Sequence, residues 1–206
     1  MVFYVLTQNR ICGFCFDSYK EGFTALWPPI HLPGKRTMAT GSAAGGEVER
    51  RAIVVGIDDS EHSFYALQWT LDHFFSGTLA FGAAYKLVVV HAKPLPSSII
   101  GLGGPGAVDV LPYVDSDLKK IATHVIEKAK QLVIAKSVSD VVYEVVEGDA
   151  RNVLTDAVER FHADVLAVGS HGYGVIKRAV LGSVSDYCAH HAHCTVMIVK
   201  KPKQTH

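Results

Sequence analysis

The chain has 206 residues, 49% apolar and 19% charged, enough for one ordinary domain with an appendage; that apolar share excludes disorder for want of core material over most of its length. Lysine plus arginine and aspartate plus glutamate each number 20, so no net field is available to hold a phosphate backbone or an anionic membrane, and neither is expected as a partner. No apolar run approaches the roughly 18 residues of a membrane span, and 4 cysteines are too few for a disulfide scaffold, which fits reduced thiols and a cytoplasmic location.

Residues 1–50 sustain no period of either 3.6 or 2. They carry Trp27-Pro28-Pro29, Pro33-Gly34 and Gly41-Ser42-Ala43-Ala44-Gly45-Gly46, which is breaker and linker chemistry. An irregular, disordered extension over 1–50 is therefore expected, ahead of a domain at 51–201 and a tail at 202–206. The opening Met1-Val2-Phe3-Tyr4-Val5-Leu6 lacks a basic leader and is cut short by Gln8, Asn9 and Arg10, unlike a secretory signal. Cys12-Gly13-Phe14-Cys15 is read as coincidental, since no helix is predicted behind it and no second ligand pair exists for zinc. Met38-Ala39-Thr40-Gly41-Ser42 looks like a chain start, and residues 1–37 are expected to be dispensable.

From Arg51 onward strands and helices alternate. Ala52-Ile53-Val54-Val55-Gly56-Ile57 is a β-branched run suited to a strand buried on both faces. Asp58-Asp59-Ser60 follows, with Asp59 the expected helix cap. Phe64, Leu67, Leu71 and Phe74 then recur at helical spacing. Leu87-Val88-Val89-Val90-His91-Ala92 is a second strand, and residues 93–112, with Pro94, Pro96, Gly101, Gly103, Gly104 and Pro105 among them, are predicted to form a long loop. Leu118, Ile121, Ala122, Val125, Ala129, Leu132 and Val133 mark a long amphipathic helix. A third strand over 141–146, a helix through Val153, Leu154, Ala157, Val158 and Phe161, a fourth strand over 164–169 and a fifth over 195–200 complete the pattern. This alternation predicts an α/β fold built on a parallel sheet with right-handed crossovers. Ligands in such folds sit beyond the carboxyl ends of the strands where strand order reverses, which points to Asp58, His91 and the segment after Gly169.

That segment reads Gly169-Ser170-His171-Gly172-Tyr173-Gly174 and continues through Lys177 and Arg178 to Leu181-Gly182-Ser183-Val184. Glycines at 169, 172 and 174 let a backbone turn sharply and approach a ligand. Gly182-Ser183 opens a helix whose free N–H groups, with the Ser183 hydroxyl, suit an anion. Together they form a candidate phosphate cradle, although a glycine-rich turn after a strand can also be purely structural. Neither the GxxxxGK[ST] phosphate loop nor a GxGxxG after the first strand is present.

Gly169-x2-Gly172-x9-Gly182-Ser183 resembles in full the GxxG-x9-G[ST] signature of the universal stress protein family, and 169–174 with 181–187 look like its plant members. The resemblance covers roughly residues 50–201. It implies a five-stranded parallel sheet in order 3-2-1-4-5 with helices on both faces, and ATP or AMP bound between strands one and four. By position it implies that Asp58 meets the adenosine and Val90 the adenine. Gly169, Ser170, His171, Gly172 and Gly174 would wrap the ribose and phosphates, while Gly182, Ser183 and Val184 would bind phosphate. Lys177 and Arg178 are candidates for phosphate contacts, with a solvated basic turn an equal reading. The resemblance also implies a homodimer through the fifth strand, 195–200, an edge in that order and so open to partners.

No catalytic residue is assigned. Hydrolysis needs a positioned water with a base or a metal clamp. Asp58 could hold a divalent ion such as Mg2+ with the phosphates, but no second carboxylate with a role stands in the glycine-rich segment. The expectation is an ATP-binding stress-response regulator whose nucleotide selects a conformation or a partner. A slow ATPase acting as a timed switch and a protein-interaction domain with an unused site are the alternatives. Cys188, His190, His191, His193 and Cys194 crowd one region, but on a helix 190 and 194 share a face while 191 and 193 point elsewhere, which does not close a tetrahedral site, so no metal is assigned.

Overall fold

The computed structural model describes the backbone of residues 2–7 and 10–15, and residues 51–75, 85–100, 107–171 and 181–202. Five parallel strands form the body of the sheet: β3 (Arg51–Ile57), β4 (Tyr85–Lys93), β5 (Val141–Glu147), β6 (Ala163–Gly169) and β7 (Thr195–Val199). They lie side by side as β5-β4-β3-β6-β7, the predicted 3-2-1-4-5 order. The helices are α1 (Glu61–Thr70), extended by a wide turn at Leu71–Phe75, α2 (Pro96–Ile100), α3 (Ala107–Ala135), α4 (Ala150–Arg160) and α5 (Ser183–His191).

Helices cover both faces, which explains the continuous apolar runs of the central strands. Ile53, Val55, Ile57, Leu87 and Val89 pack beneath Phe64, Leu67 and Leu71 of α1 and Val125, Ala129 and Val133 of α3. Their neighbours Ala52, Val54, Val88 and Val90 turn to the other side, beneath Val153, Leu154, Ala157 and Val158 of α4 and Cys188 of α5. Each fully buried aliphatic side chain contributes about 1.5–3 kcal/mol, so these two layers hold the sheet.

The loop expected over 93–112 is shorter than predicted. β4 runs on to Lys93, α2 occupies Pro96–Ile100, and α3 starts at Ala107 with Pro112 inside it. Proline content concealed these elements, because Pro96 sits at a helix start, where its missing N–H costs nothing. The buried Lys93 ammonium fixes the region: it lies 2.8 Å from Asp115 of α3 and 2.7 Å from Glu147 of β5.

The amino-terminal residues depart further from expectation. β1 (Val2–Thr7) and β2 (Arg10–Cys15) pair antiparallel, from Val2 opposite Cys15 to Thr7 opposite Arg10. β1 also pairs antiparallel with β7, Phe3 opposite Val199 and Leu6 opposite Val196, so the sheet has seven strands in order β2-β1-β7-β6-β3-β4-β5. Residues 2–7 and 10–15 are therefore paired strands rather than irregular chain, and β7 is not an edge. Six-residue strands are too short for a convincing period, and the pairing that joins β1 to the sheet is with residues almost two hundred positions away. Among the described residues no helix is long and apolar enough to cross a membrane.

Candidate functional site

β3 is flanked by β4 on one side and β6 on the other, so the strand order reverses at its carboxyl end. Asp58 begins the turn there. Its Oδ1 accepts from the Ser60 backbone N–H at 3.1 Å and from the Ser60 hydroxyl. Ser60, with φ −95° and ψ 148°, is the cap of α1 and accepts from the Ser63 N–H at 3.2 Å. The Ser63 hydroxyl in turn donates to the Asp58 carbonyl at 2.8 Å. The cap is thus Ser60 rather than Asp59, which is exposed; a hydroxyl reaches the third amide of the helix from that position.

At the end of β6, Gly169 passes close to the start of α1. A Cβ on it would lie 2.8 Å from the His62 carbonyl carbon and 2.9 Å from the Ser63 nitrogen, so only glycine fits. Ser170, 1% exposed, closes the stem of the glycine-rich segment. Its N–H donates to the Val199 carbonyl at 3.0 Å, and its carbonyl accepts from the Gly182 N–H at 2.8 Å. The segment leaving at His171 therefore returns to its starting point at Gly182. Gly182 is the cap of α5, with φ −75° and ψ 156°, and among the described residues no side chain caps that helix. The first hydrogen bond of the helix runs from the Asp186 N–H to the Gly182 carbonyl at 2.9 Å, and the Ser185 hydroxyl donates to the same carbonyl at 2.9 Å. Ser183 is exposed, while the Val184 side chain packs on the second core layer, leaving its N–H as the polar group it can offer.

Two histidines join this end of the sheet. His91, 5% exposed, donates from Nδ1 to the Ile57 carbonyl at 3.0 Å and ties β4 to β3 where β3 finishes. His62, which sequence reasoning passed over, has its ring centroid 5.4 Å from that of His171, and its Nδ1 is buried with no hydrogen-bond partner among the described residues. Burial, then His171 and Lys201, lower the His62 pKa from its usual value, while Glu61 and Asp58 pull the other way. Its imidazole thus lies within electrostatic reach of both strand ends. Periodicity could not reveal it; its position two residues after the cap could, because that part of α1 overhangs the switch point. The Ser170 hydroxyl meets His171 Nδ1 at 3.1 Å.

The structure gathers Asp58, Ser170, His171, Gly182 and the start of α5 at this end. Gly172, Gly174, Lys177 and Arg178 lie outside the described residues. Val90 does not join the group: it is 0% exposed, faces α4, and sits three positions before the end of β4. The strand was expected over 87–92 and runs from Tyr85 to Lys93, so the position that the resemblance assigns to the adenine lies inside the strand rather than at its end. The arrangement is a Gly-rich stem and an uncapped helix start beside a carboxylate and two imidazoles, which suits a ligand carrying phosphate.

The cysteine and histidine crowd resolves into local contacts. His190 and His191 donate from Nδ1 to the carbonyls of Asp186 and Tyr187, each at 2.8 Å, and His191 stacks on Tyr187 with centroids 4.0 Å apart. Burial pushes the thiols of Cys188 and Cys194 up to about 12, which opposes the thiolate a metal needs. Cys12 and Cys15 lie within β2, an extended backbone rather than the helix start used by redox CxxC pairs.

The sequence pattern of the universal stress protein family matches residues 49–200. Among curated relatives, universal stress protein PHOS34 of Arabidopsis thaliana is 32% identical over 168 residues, covering 74% of this chain and 63% of its own. Universal stress protein PHOS32 of the same plant is 28% identical over 165 residues, covering 74% and 66%, so this chain spans just under two thirds of both relatives. Among solved structures, universal stress protein UspA from Lactobacillus plantarum aligns with a TM-score of 0.58 at 19% identity, covering 72% of this chain and 97% of that one. A universal stress protein crystallised in complex with cAMP aligns at 0.52 and 24% identity, covering 72% and 96%. With its sheet order and the match over 49–200, the chain belongs to the universal stress protein family.

Proposed function

We propose that this chain binds an adenine nucleotide at the carboxyl ends of β3 and β6 and acts as a stress-response regulator, the nucleotide selecting a conformation or a partner. The observation that carries the reading is the stem: the Ser170 carbonyl accepting from the Gly182 N–H at 2.8 Å holds Gly169-Ser170 against Gly182-Ser183, the described parts of the GxxG-x9-GS signature. The uncapped start of α5 would offer the Ser183 and Val184 N–H groups to phosphate. The cAMP complex of a family relative supports an adenine ligand class. ATP is the proposed ligand, with AMP the next candidate. Mg2+, where it takes part, would arrive on the nucleotide: Asp58 and Asp59 are the carboxylates after β3, and Oδ1 of Asp58 already holds Ser60.

The test uses the full chain. Protein purified without added nucleotide is denatured in acid and the supernatant chromatographed; the stripped protein is then titrated with ATP·Mg2+, AMP and cAMP in a calorimeter. Saturable binding of an adenine nucleotide, abolished by Gly182→Leu in a variant that still melts cooperatively, is expected. Stripped protein that ignores all three would leave the glycine segment as architecture. Phosphate release from bound ATP separates a static ligand from a slow hydrolytic switch, and no turnover is expected.

A further inference from the structure

We propose that the β1–β2 hairpin is a built-in cap on the β7 edge, which keeps the chain from pairing through β7 with a second copy of itself. β7 is a short, β-branched strand, Thr195-Val196-Met197-Ile198-Val199, bonded in parallel to β6 on one side. Its other side would present a row of unpaired N–H and C=O groups, a template for any passing strand. β1 occupies that row over four successive pairs, from Phe3–Val199 to Leu6–Val196.

The polarity of this pairing identifies the competitor. β1 runs antiparallel to β7, although every other neighbour contact in the body of the sheet is parallel. A strand paired with its own copy across a two-fold axis is also antiparallel, so a second chain's β7 would need the same backbone groups in the same direction. The two partners are mutually exclusive. Being on the same chain, the hairpin meets β7 at an effective concentration on the order of millimolar, which outcompetes a second copy at ordinary protein concentrations.

The cap also alters the edge that remains. The exposed side passes from β7 to β2, which starts with Arg10 and carries Gly13. A charge at a strand end and a glycine within it make a poorer template than four consecutive apolar, mostly β-branched residues.

The experiment compares the full chain with the full-length double variant Tyr4→Pro/Val5→Pro by sedimentation at several concentrations. Adjacent residues of a strand direct their N–H groups to opposite sides, so the pair removes one donor toward β7 whichever side each faces. A monomeric parent and a variant whose mass doubles with concentration are expected, with the Val196–Val199 amides exchanging faster in the dilute variant than in the parent. A dimeric parent, or a folded variant that stays monomeric, overturns the proposal. Because the prolines could unfold the chain, oxidation of full-length Val5→Cys/Met197→Cys and Tyr4→Cys/Ile198→Cys, both with Cys12 and Cys15 changed to Ser, gives a second reading. An intramolecular crosslink in a monomer supports the cap, and crosslinks only between chains, or none in either pair, refute it.

Discussion

Gly169 passes the backbone of His62 so closely that a methyl group on it would sit 2.8 Å from the His62 carbonyl carbon. The contact is between β6 and the first turn of α1, both packed into the core, and neither can retreat without moving a strand or a helix. Gly169→Ala is therefore expected to cost about 1–3 kcal/mol, or a few degrees of melting temperature for each kcal/mol in a domain of this size. Gly56 provides the contrast. A Cβ there would meet the Leu154 side chain at 2.8 Å, a flexible end that can shift. Urea denaturation of both alanine variants should rank Gly169→Ala as the more damaging; equal midpoints would mean that α1 yields more readily than its packing implies.

The start of α4 has an acid-sensitive cap. Asp149 accepts from the Arg151 N–H at 2.8 Å and forms an ion pair with the Arg151 guanidinium, which holds its carboxyl down at about 2. A carboxyl whose native value is depressed contributes stability above its unfolded value near 3.8, and that contribution disappears as pH falls from there towards 2. Asp149→Ala should cost about 0.5–2 kcal/mol at neutral pH. Asp149→Asn retains a capping oxygen and should lose less, while flattening the acid limb between pH 4 and 2. Chemical denaturation across that range decides it; an unchanged acid limb in Asp149→Asn would show that the carboxylate charge contributes nothing.

What was legible in the residues divides along physical lines. Core strands buried on both faces, such as Ile53-Val54-Val55, announce themselves because helices above and below demand continuous apolar side chains. The stem of the glycine segment was legible because a close approach such as that of Gly169 to His62 leaves few residue choices. Val90, which the resemblance assigns to the adenine, is fully buried beneath α4, because β4 continues past it through Ala92 and a Lys93 neutralised by Asp115 and Glu147. The hairpin was illegible because its pairing with β7 is a contact between the two ends of the chain, which no local pattern encodes. His62 escaped for a similar reason: its setting is created by β6 and His171, not by its own helix.

Both described carboxyl-terminal cysteines should be inert. Burial pushes the thiols of Cys188 and Cys194 up to about 12, so almost no thiolate exists at pH 8. Iodoacetamide at that pH should leave both unmodified in the native protein and label both in urea, as read by peptide mass spectrometry. Rapid native labelling of Cys188, which is 0% exposed, would reveal opening of α5 from the sheet.

His62 makes the site sensitive to mild acid. Burial first, then His171 and Lys201, lower its pKa, with Glu61 and Asp58 opposing, so the folded chain resists protonation more than the unfolded chain does. Stability is therefore full above pH 6.5 and falls as pH drops from there towards the lowered native value, because the unfolded state takes up the proton more readily. His62→Gln should remove this part of the acid dependence and leave neutral stability nearly unchanged. A ligand phosphate beside His62 would act in the opposite direction: an anion favours the imidazolium, so binding near pH 6 should draw a proton from the buffer. Calorimetric titration with ATP·Mg2+ in two buffers of different ionisation enthalpy measures that uptake directly. Uptake that vanishes in His62→Gln would place phosphate against α1 as well as α5, whereas equal uptake in parent and variant would assign the proton to another group.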